Sequence, residues 1–215
     1  MNKKKNNYLI SASLILLALT FTILVKIIDV KPVGVNGADI GFSTINKFIF
    51  DKVGVNTLWY DITEYLGYIT LFGVLIYGVV GLVQLIKRKS LLKVDKELII
   101  LGMFYVCVLF VYVLFEKVVI NYRPVLMEGV LEDSYPSSHT LMTVCFCSSF
   151  ILINKMLFKN KITKYVNIMS MLILIVMPVG RLLSGVHWFT DIIGGLLISS
   201  ALIMCLYSVL CHVKK

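Results

Sequence analysis

Apolar residues in this chain gather in long runs that recur along its length. Windows of about 20 mostly apolar residues, the length of helix that crosses roughly 30 Å of hydrocarbon, can be drawn six times. They run from Leu9 to Ile28, Leu66 to Ile86, Leu98 to Phe115, Leu141 to Phe158, Tyr165 to Leu183 and Ile192 to Leu210. Short connections join most of them. The pattern therefore predicts an all-α polytopic membrane protein, with six transmembrane helices in one bundle and a single domain over residues 1–215. The longest connection, Val30 to Thr57, breaks the rhythm. Its Ile45, Phe48 and Ile49 recur at helical spacing between Lys47 and Lys52, which fits an amphipathic helix on the outer membrane surface or a cap over a site.

The first window follows Lys3, Lys4 and Lys5, the charge pattern of a signal peptide. It lacks a small-residue cleavage site, it is long enough to span, and five more spans follow, so it reads as an uncleaved first helix. Composition supports the membrane reading. With 59% hydrophobic and 15% charged residues and a mean hydropathy of +0.90, the chain carries more apolar surface than one soluble core could hide. The five cysteines (Cys107, Cys145, Cys147, Cys205 and Cys211) all lie within or at the ends of apolar runs, without a CxxC pair or Cys/His cluster. They read as small buried hydrophobes rather than metal ligands or disulfide partners.

A net charge of +9 would suit nucleic acid, but its distribution points to a bilayer instead. Basic residues gather at alternate ends of the spans: Lys3 to Lys5, then Lys87, Arg88, Lys89, Lys93 and Lys96, then Lys155, Lys159, Lys161 and Lys164, then Lys214 and Lys215. By the positive-inside rule these four clusters face the cytoplasm, and six spans with both termini inside satisfy all of them. Asp29, Asp39, Asp51, Asp61, Glu64, Glu128, Glu132, Asp133 and Asp191 fall on the other side. The expected location is the cytoplasmic membrane, multi-pass, with any site on the lysine-poor side facing outward.

Of 21 basic residues only three are arginine. Arg88 belongs to a cytoplasmic cluster, whereas Arg123 and Arg181 fall in outer loops that also hold His139 and His187. A guanidinium is a planar fork of donors suited to bidentate phosphate binding. Each residue alone has a plain reading, as an arginine snorkelling to lipid phosphate or a histidine at an interface. Together, two arginines, two histidines and an aspartate on one membrane face point to a functional anion site. In RLLSGVHWFTD, His187 and Asp191 are four residues apart and share a helix face. The carboxylate is expected to bind one imidazole nitrogen, leaving the other as nucleophile or base. A metal pair is the competing reading of HxxxD, but it needs another ligand and the arginines would repel a cation. In SYPSSHT, Pro136 suits a helix start, and Ser137 and Ser138 supply hydroxyls and first-turn amides for an anion. His139 beside them is placed to protonate a leaving group.

This constellation resembles the type-2 phosphatidic acid phosphatase superfamily, related to vanadium haloperoxidases, whose motifs KxxxxxxRP, PSGH and SRxxxxxHxxxD occur in that order. The matching segments are EKVVINYRP (116–124), PSSH (136–139) and GRLLSGVHWFTD (180–191), so the core motifs span 116–191. The resemblance implies a membrane lipid phosphatase that works through a phosphohistidine and needs no metal or other cofactor. His187 would attack phosphorus, Asp191 orient it, and His139 protonate the departing oxygen and then activate water. Arg123, Arg181, Ser137 and Ser138, with Lys117, would bind phosphate. Three positions depart from the pattern: Ser138 replaces glycine, Gly180 replaces serine, and Glu116 stands where the first lysine belongs. Lys117 comes one residue later, which turns its side chain by about 100° on a regular helix, and Glu116 is a potential partner for Arg123. The implied substrates are phosphatidic acid, phosphatidylglycerol phosphate or a polyprenyl pyrophosphate. Transfer to another lipid, and a non-catalytic lipid-phosphate binder or transporter, are the alternatives.

Overall fold

The computed structural model describes residues 3–213 apart from Lys159, with side chains described from Lys5 onward. Lys159, Lys214, Lys215 and the side chains of Lys3 and Lys4, all members of the basic clusters, lie outside the described residues. Among those described, the chain folds into α1 (Lys3–Ile27), α2 (Ser43–Val53), α3 (Thr57–Arg88), α4 (Lys96–Lys117), α5 (Ser138–Leu157), α6 (Lys161–Leu183) and α7 (Phe189–Val213). All except α2 are long and apolar enough to cross a membrane. The six spans and the all-helical class agree with the hydropathy pattern, although α3 begins nine residues before the expected Leu66.

Capping explains several ends. Asn56 accepts from the Trp59 amide at 3.2 Å and starts α3. Asn160 and Thr163 form a reciprocal capping box at the start of α6, so the turn after Lys159 is defined by polar side chains. The short connections after α3 and α5 make antiparallel neighbours and bring Lys87, Arg88, Lys89, Lys93 and Lys96, with Lys155, Lys161 and Lys164, to the end of the bundle opposite the first turn of α5.

α5 is the central helix. It packs on α6, α7, α3 and α4, and α7 packs in turn on α1. The core gathers Leu101 and Val108 of α4, Leu141, Cys145 and Ile153 of α5, and Leu206 and Leu210 of α7. Cys145 and Cys147 are buried free thiols, in keeping with their reading as core residues, but Cys107 is exposed and Cys205 and Cys211 are half-buried, so the buried reading holds for two of the five.

The predicted amphipathic helix exists as α2, with an inverted arrangement. Its buried residues are polar, Ser43 and Asn46, while Phe48 is 62% exposed. The Asn46 amide nitrogen donates to the Gly41 carbonyl and the Thr190 hydroxyl, both at 2.8 Å, and its oxygen accepts from the Thr190 amide at 3.1 Å. So α2 braces the start of α7 through Asn46 and packs Phe50 on Trp188, with ring centroids 5.5 Å apart, while Ile45 and Phe48 point outward as on a surface-lying helix.

Candidate active site

At the end of the bundle where α5 begins lies a cavity of about 580 Å³. Arg123, Ser138, His139, Arg181 and His187 line it, although they come from four separate segments. The 118–137 connection forms its wall. Antiparallel bridges between Tyr122 and Asp133 and between Met127 and Val130 fold this segment into a hairpin, closed by Glu128 and Gly129, both at positive φ. The Trp188 indole donates to the Tyr122 carbonyl at 2.7 Å, and the Ser137 amide to the Asp191 carbonyl at 3.0 Å, tying the hairpin and the head of α5 to the start of α7.

His187 sits in the bend between α6 and α7 and is buried. Its Nδ1 donates to the Ser134 carbonyl at 3.1 Å, while Asp191 Oδ2 stands 3.7 Å away and accepts instead from the Trp188 amide at 2.8 Å. This corrects the expectation that the carboxylate itself binds the imidazole. The backbone carbonyl fixes the tautomer, and the Asp191 carboxyl stands fully buried one step behind it. With the proton on Nδ1, Nε2 keeps its lone pair and faces Arg181 Nη2 at 3.5 Å. Burial, reinforced by the positive charges of Arg181 and Arg123, holds the His187 pKa well below the usual imidazole range. A neutral imidazole is the form required of a nucleophile.

Arg181, near the end of α6, is only 1% exposed. It lies over the Tyr60 ring with its central carbon 5.2 Å from the centroid, and Nη1 donates to Glu64 Oε1 at 2.9 Å and Thr63 Oγ1 at 3.3 Å. The same Glu64 oxygen is 3.2 Å from His139 Nε2. Glu64 is thus the site residue that sequence reasoning missed. It was counted with the outer-loop acids because the apolar run was started at Leu66, whereas an acid inside a membrane helix is a functional signal by default. The departure at Gly180 finds its reason here. A Cβ at that position would lie 2.6 Å from Thr63 Cγ2, so glycine is what lets α3 come up against α6.

The remaining candidates divide. Arg123 lines the cavity with Nε 3.1 Å from Glu132 Oε2, so its acidic neighbour is Glu132 and not Glu116. Its Nη1 is buried without a hydrogen-bond partner. Ser138 lines the cavity, but Ser137 is fully buried behind it. Ser137 contributes its hydroxyl to Thr140 as acceptor at 3.1 Å and its amide to Asp191, so neither group faces an anion. Lys117 ends α4, exposed and outside the lining, whereas Glu116 is part of it. The mouth is acidic: Glu116, Glu128, Glu132 and Asp133 surround it, and burial together with Glu116 pushes the Asp133 carboxyl up. No residue of the 30–57 connection lines the cavity, so that segment is a brace and not a cap. Among the described residues, no three His, Cys, Asp or Glu side chains converge as a metal-binding group.

A family model described as the PAP2 superfamily matches residues 102–212, a stretch that contains every motif residue above but not Glu64. Among solved structures, the chain is similar to the "first transmembrane PAP2 type phosphatidylglycerolphosphate phosphatase from Bacillus subtilis". The TM-score is 0.66 and the identity 16%, over 95% of this chain and 98% of that one. At that identity the fold is what the two share. No curated protein matches the sequence.

Proposed function

The chain belongs to the PAP2 superfamily, and from that premise we propose that it is an integral membrane phosphatase acting on the terminal phosphate or pyrophosphate of a lipid. The observation that carries this reading is His187: a buried imidazole with Nδ1 donating to a carbonyl and the Nε2 lone pair turned toward Arg181 Nη2, in a cavity shared with Arg123 and His139.

In the first step Nε2 attacks phosphorus in line as the bond to the lipid oxygen breaks, and His139 gives that oxygen a proton. Arg181 and Arg123 hold the equatorial oxygens, where charge must be stabilised in phosphoryl transfer. In the second step His139 takes a proton from water, the hydroxide oxygen attacks phosphorus, and the phosphorus–nitrogen bond breaks to release phosphate. Positive charge on the attacked imidazole is stabilised by Asp191 through space, at 3.7 Å. Guanidinium groups supply the charge that a metal ion supplies in other phosphoryl-transfer sites.

Candidate substrates are phosphatidic acid, phosphatidylglycerol phosphate and a polyprenyl pyrophosphate. The cavity lies at the end of the bundle opposite the basic clusters, which supports a site on the outer face of the cytoplasmic membrane and both termini inside. Phosphate release by purified protein across a panel of lipid phosphates and pyrophosphates tests the class and the preference. Labelled lipid should leave phosphate on His187, vanadate should inhibit and a chelator should not. No release from any member of the panel would refute the proposal, and a lipid product carrying the label would make the enzyme a transferase.

A further inference from the structure

Glu64 brings a negative charge into a cavity built for anions, and two glycines hold it there. Gly180 permits the approach of α3 to α6, and a Cβ at Gly67, one turn after Glu64, would stand 3.2 Å from His139 Cδ2, so α3 also lies close against α5. Between these two contacts one oxygen of Glu64 takes up Arg181 Nη1 and His139 Nε2 together. The other ring nitrogen, His139 Nδ1, is buried without a hydrogen-bond partner, so the nitrogen that would protonate a leaving group is the one already facing Glu64. The carboxylate thus takes up donors that a phosphate oxygen would need.

We propose that Glu64 is a specificity-determining residue that makes the site select doubly charged phosphate, a terminal monoester or diphosphate, over the singly charged phosphodiesters of ordinary membrane lipids. The proposal rests on the reading of this cavity as a phosphate site. An incoming phosphodiester would exchange one negative charge for another at Arg181 and His139, with no electrostatic gain, and would still face the repulsion of the displaced carboxylate nearby. A doubly charged phosphate gains more from the two arginines than the carboxylate did. A site facing a leaflet rich in phosphodiesters would in this way stay free for its substrate.

The test uses two soluble probes, methyl phosphate and dimethyl phosphate, as competitors of lipid phosphate hydrolysis at about pH 8, above the second phosphate pKa of about 6. Wild type should be inhibited by methyl phosphate and not by dimethyl phosphate. Glu64→Gln, which keeps an acceptor oxygen without the charge, should bring dimethyl phosphate inhibition into range, with affinity rising roughly tenfold or more. Gly180→Ala, which pushes α3 and its Thr63 from α6 and changes no charged group, should show the same change in smaller measure and covers the case in which Glu64→Gln does not fold. If methyl phosphate competes everywhere and the folded variants exclude dimethyl phosphate as wild type does, the filter is refuted and the phosphatase reading stands. If wild type hydrolyses no lipid phosphate and methyl phosphate does not bind, the phosphatase reading fails and takes the filter with it.

Discussion

α5 and α3 flank the same cavity and are built on different terms. In the most apolar window of α5, 56% of residues are buried inside the protein, against 6% for α3, although α3 is the more hydropathic of the two. α5 carries Ser138 and His139 at the head of the best-packed helix, and it contacts α6 and α7, which supply Arg181 and Asp191. α3 is exposed along most of its length and buries only Thr63 and Thr70, yet it brings Glu64 into the lining of the cavity, against Arg181. The difference separates fixed machinery from an adjustable element. The groups proposed to bind and attack phosphate sit on or beside helices more enclosed by protein than α3 is. Glu64, which the proposed filter requires to give way to substrate, sits on a helix with far less protein around it than α5 has.

The largest effect belongs to the packed half. His187→Ala should lower phosphate release by at least about a thousandfold and abolish labelling of the protein, since removal of the proposed covalent nucleophile would leave only binding and electrostatic assistance. Retention of a tenth of the activity would put the nucleophile elsewhere and dissolve the division between the two regions. Arg181→Lys comes next, with an expected loss in kcat of about a hundredfold. An ammonium cannot hold Glu64 through one nitrogen and face His187 through another, as the guanidinium does. Were lysine to suffice, Arg181 would be a mere countercharge for α3.

A smaller effect should come from the brace behind His187. Asn46→Ala leaves the Thr190 amide and the Gly41 carbonyl without their buried partner, which should cost roughly 2 kcal/mol in stability, and activity should fall less than tenfold. Thermal unfolding in a single detergent measures the first and initial rates the second. A pH series probes the same region. The folded-state pKa of His187 is depressed, so between that value and the unfolded value of about 6.5 the unfolded chain binds a proton that the folded chain refuses. Its contribution to stability is therefore present above about pH 6.5 and lost as pH falls below it. His187→Asn should flatten the decline in melting temperature between about pH 7 and pH 5. An unchanged slope would mean that His187 is not buried neutral.

Much of this was legible in the chain itself, for physical reasons. Spans declare themselves because the bilayer demands long apolar runs, and the RP, PSSH and HxxxD segments declare themselves because they match the motifs of the family over 102–212. What escaped was of three kinds. The acceptor for His187 is the Ser134 carbonyl, and a main-chain atom carries no sequence signature. Ser137 and Ser138 are adjacent and chemically alike, yet the helix start turns one into the cavity and the other behind it, a choice set by the Ser137 amide bonding to Asp191. Glu64 escaped because hydropathy marks where lipid contact begins and not where the helix does. α3 starts at Thr57, capped by Asn56, and its first two turns are too polar to join an apolar window.

The smallest effect is the one expected at Lys117, and it tests the acidic mouth of the cavity. Lys117→Ala should change phosphate release by no more than about twofold, because an exposed side chain at a helix end, outside the cavity lining, contributes little to an interaction screened by water. Glu116 is the residue of that pair that lines the cavity, and it faces a mouth already crowded with Glu128, Glu132 and Asp133. Glu116→Lys restores the family's cation seven residues before Arg123, and it should tighten substrate binding, seen as a lower KM with kcat little changed. A tenfold loss in Lys117→Ala would require the last turn of α4 to rotate when substrate arrives. In that case α4 would join α3 as a moving wall, and the fixed machinery would shrink to α5, α6 and α7.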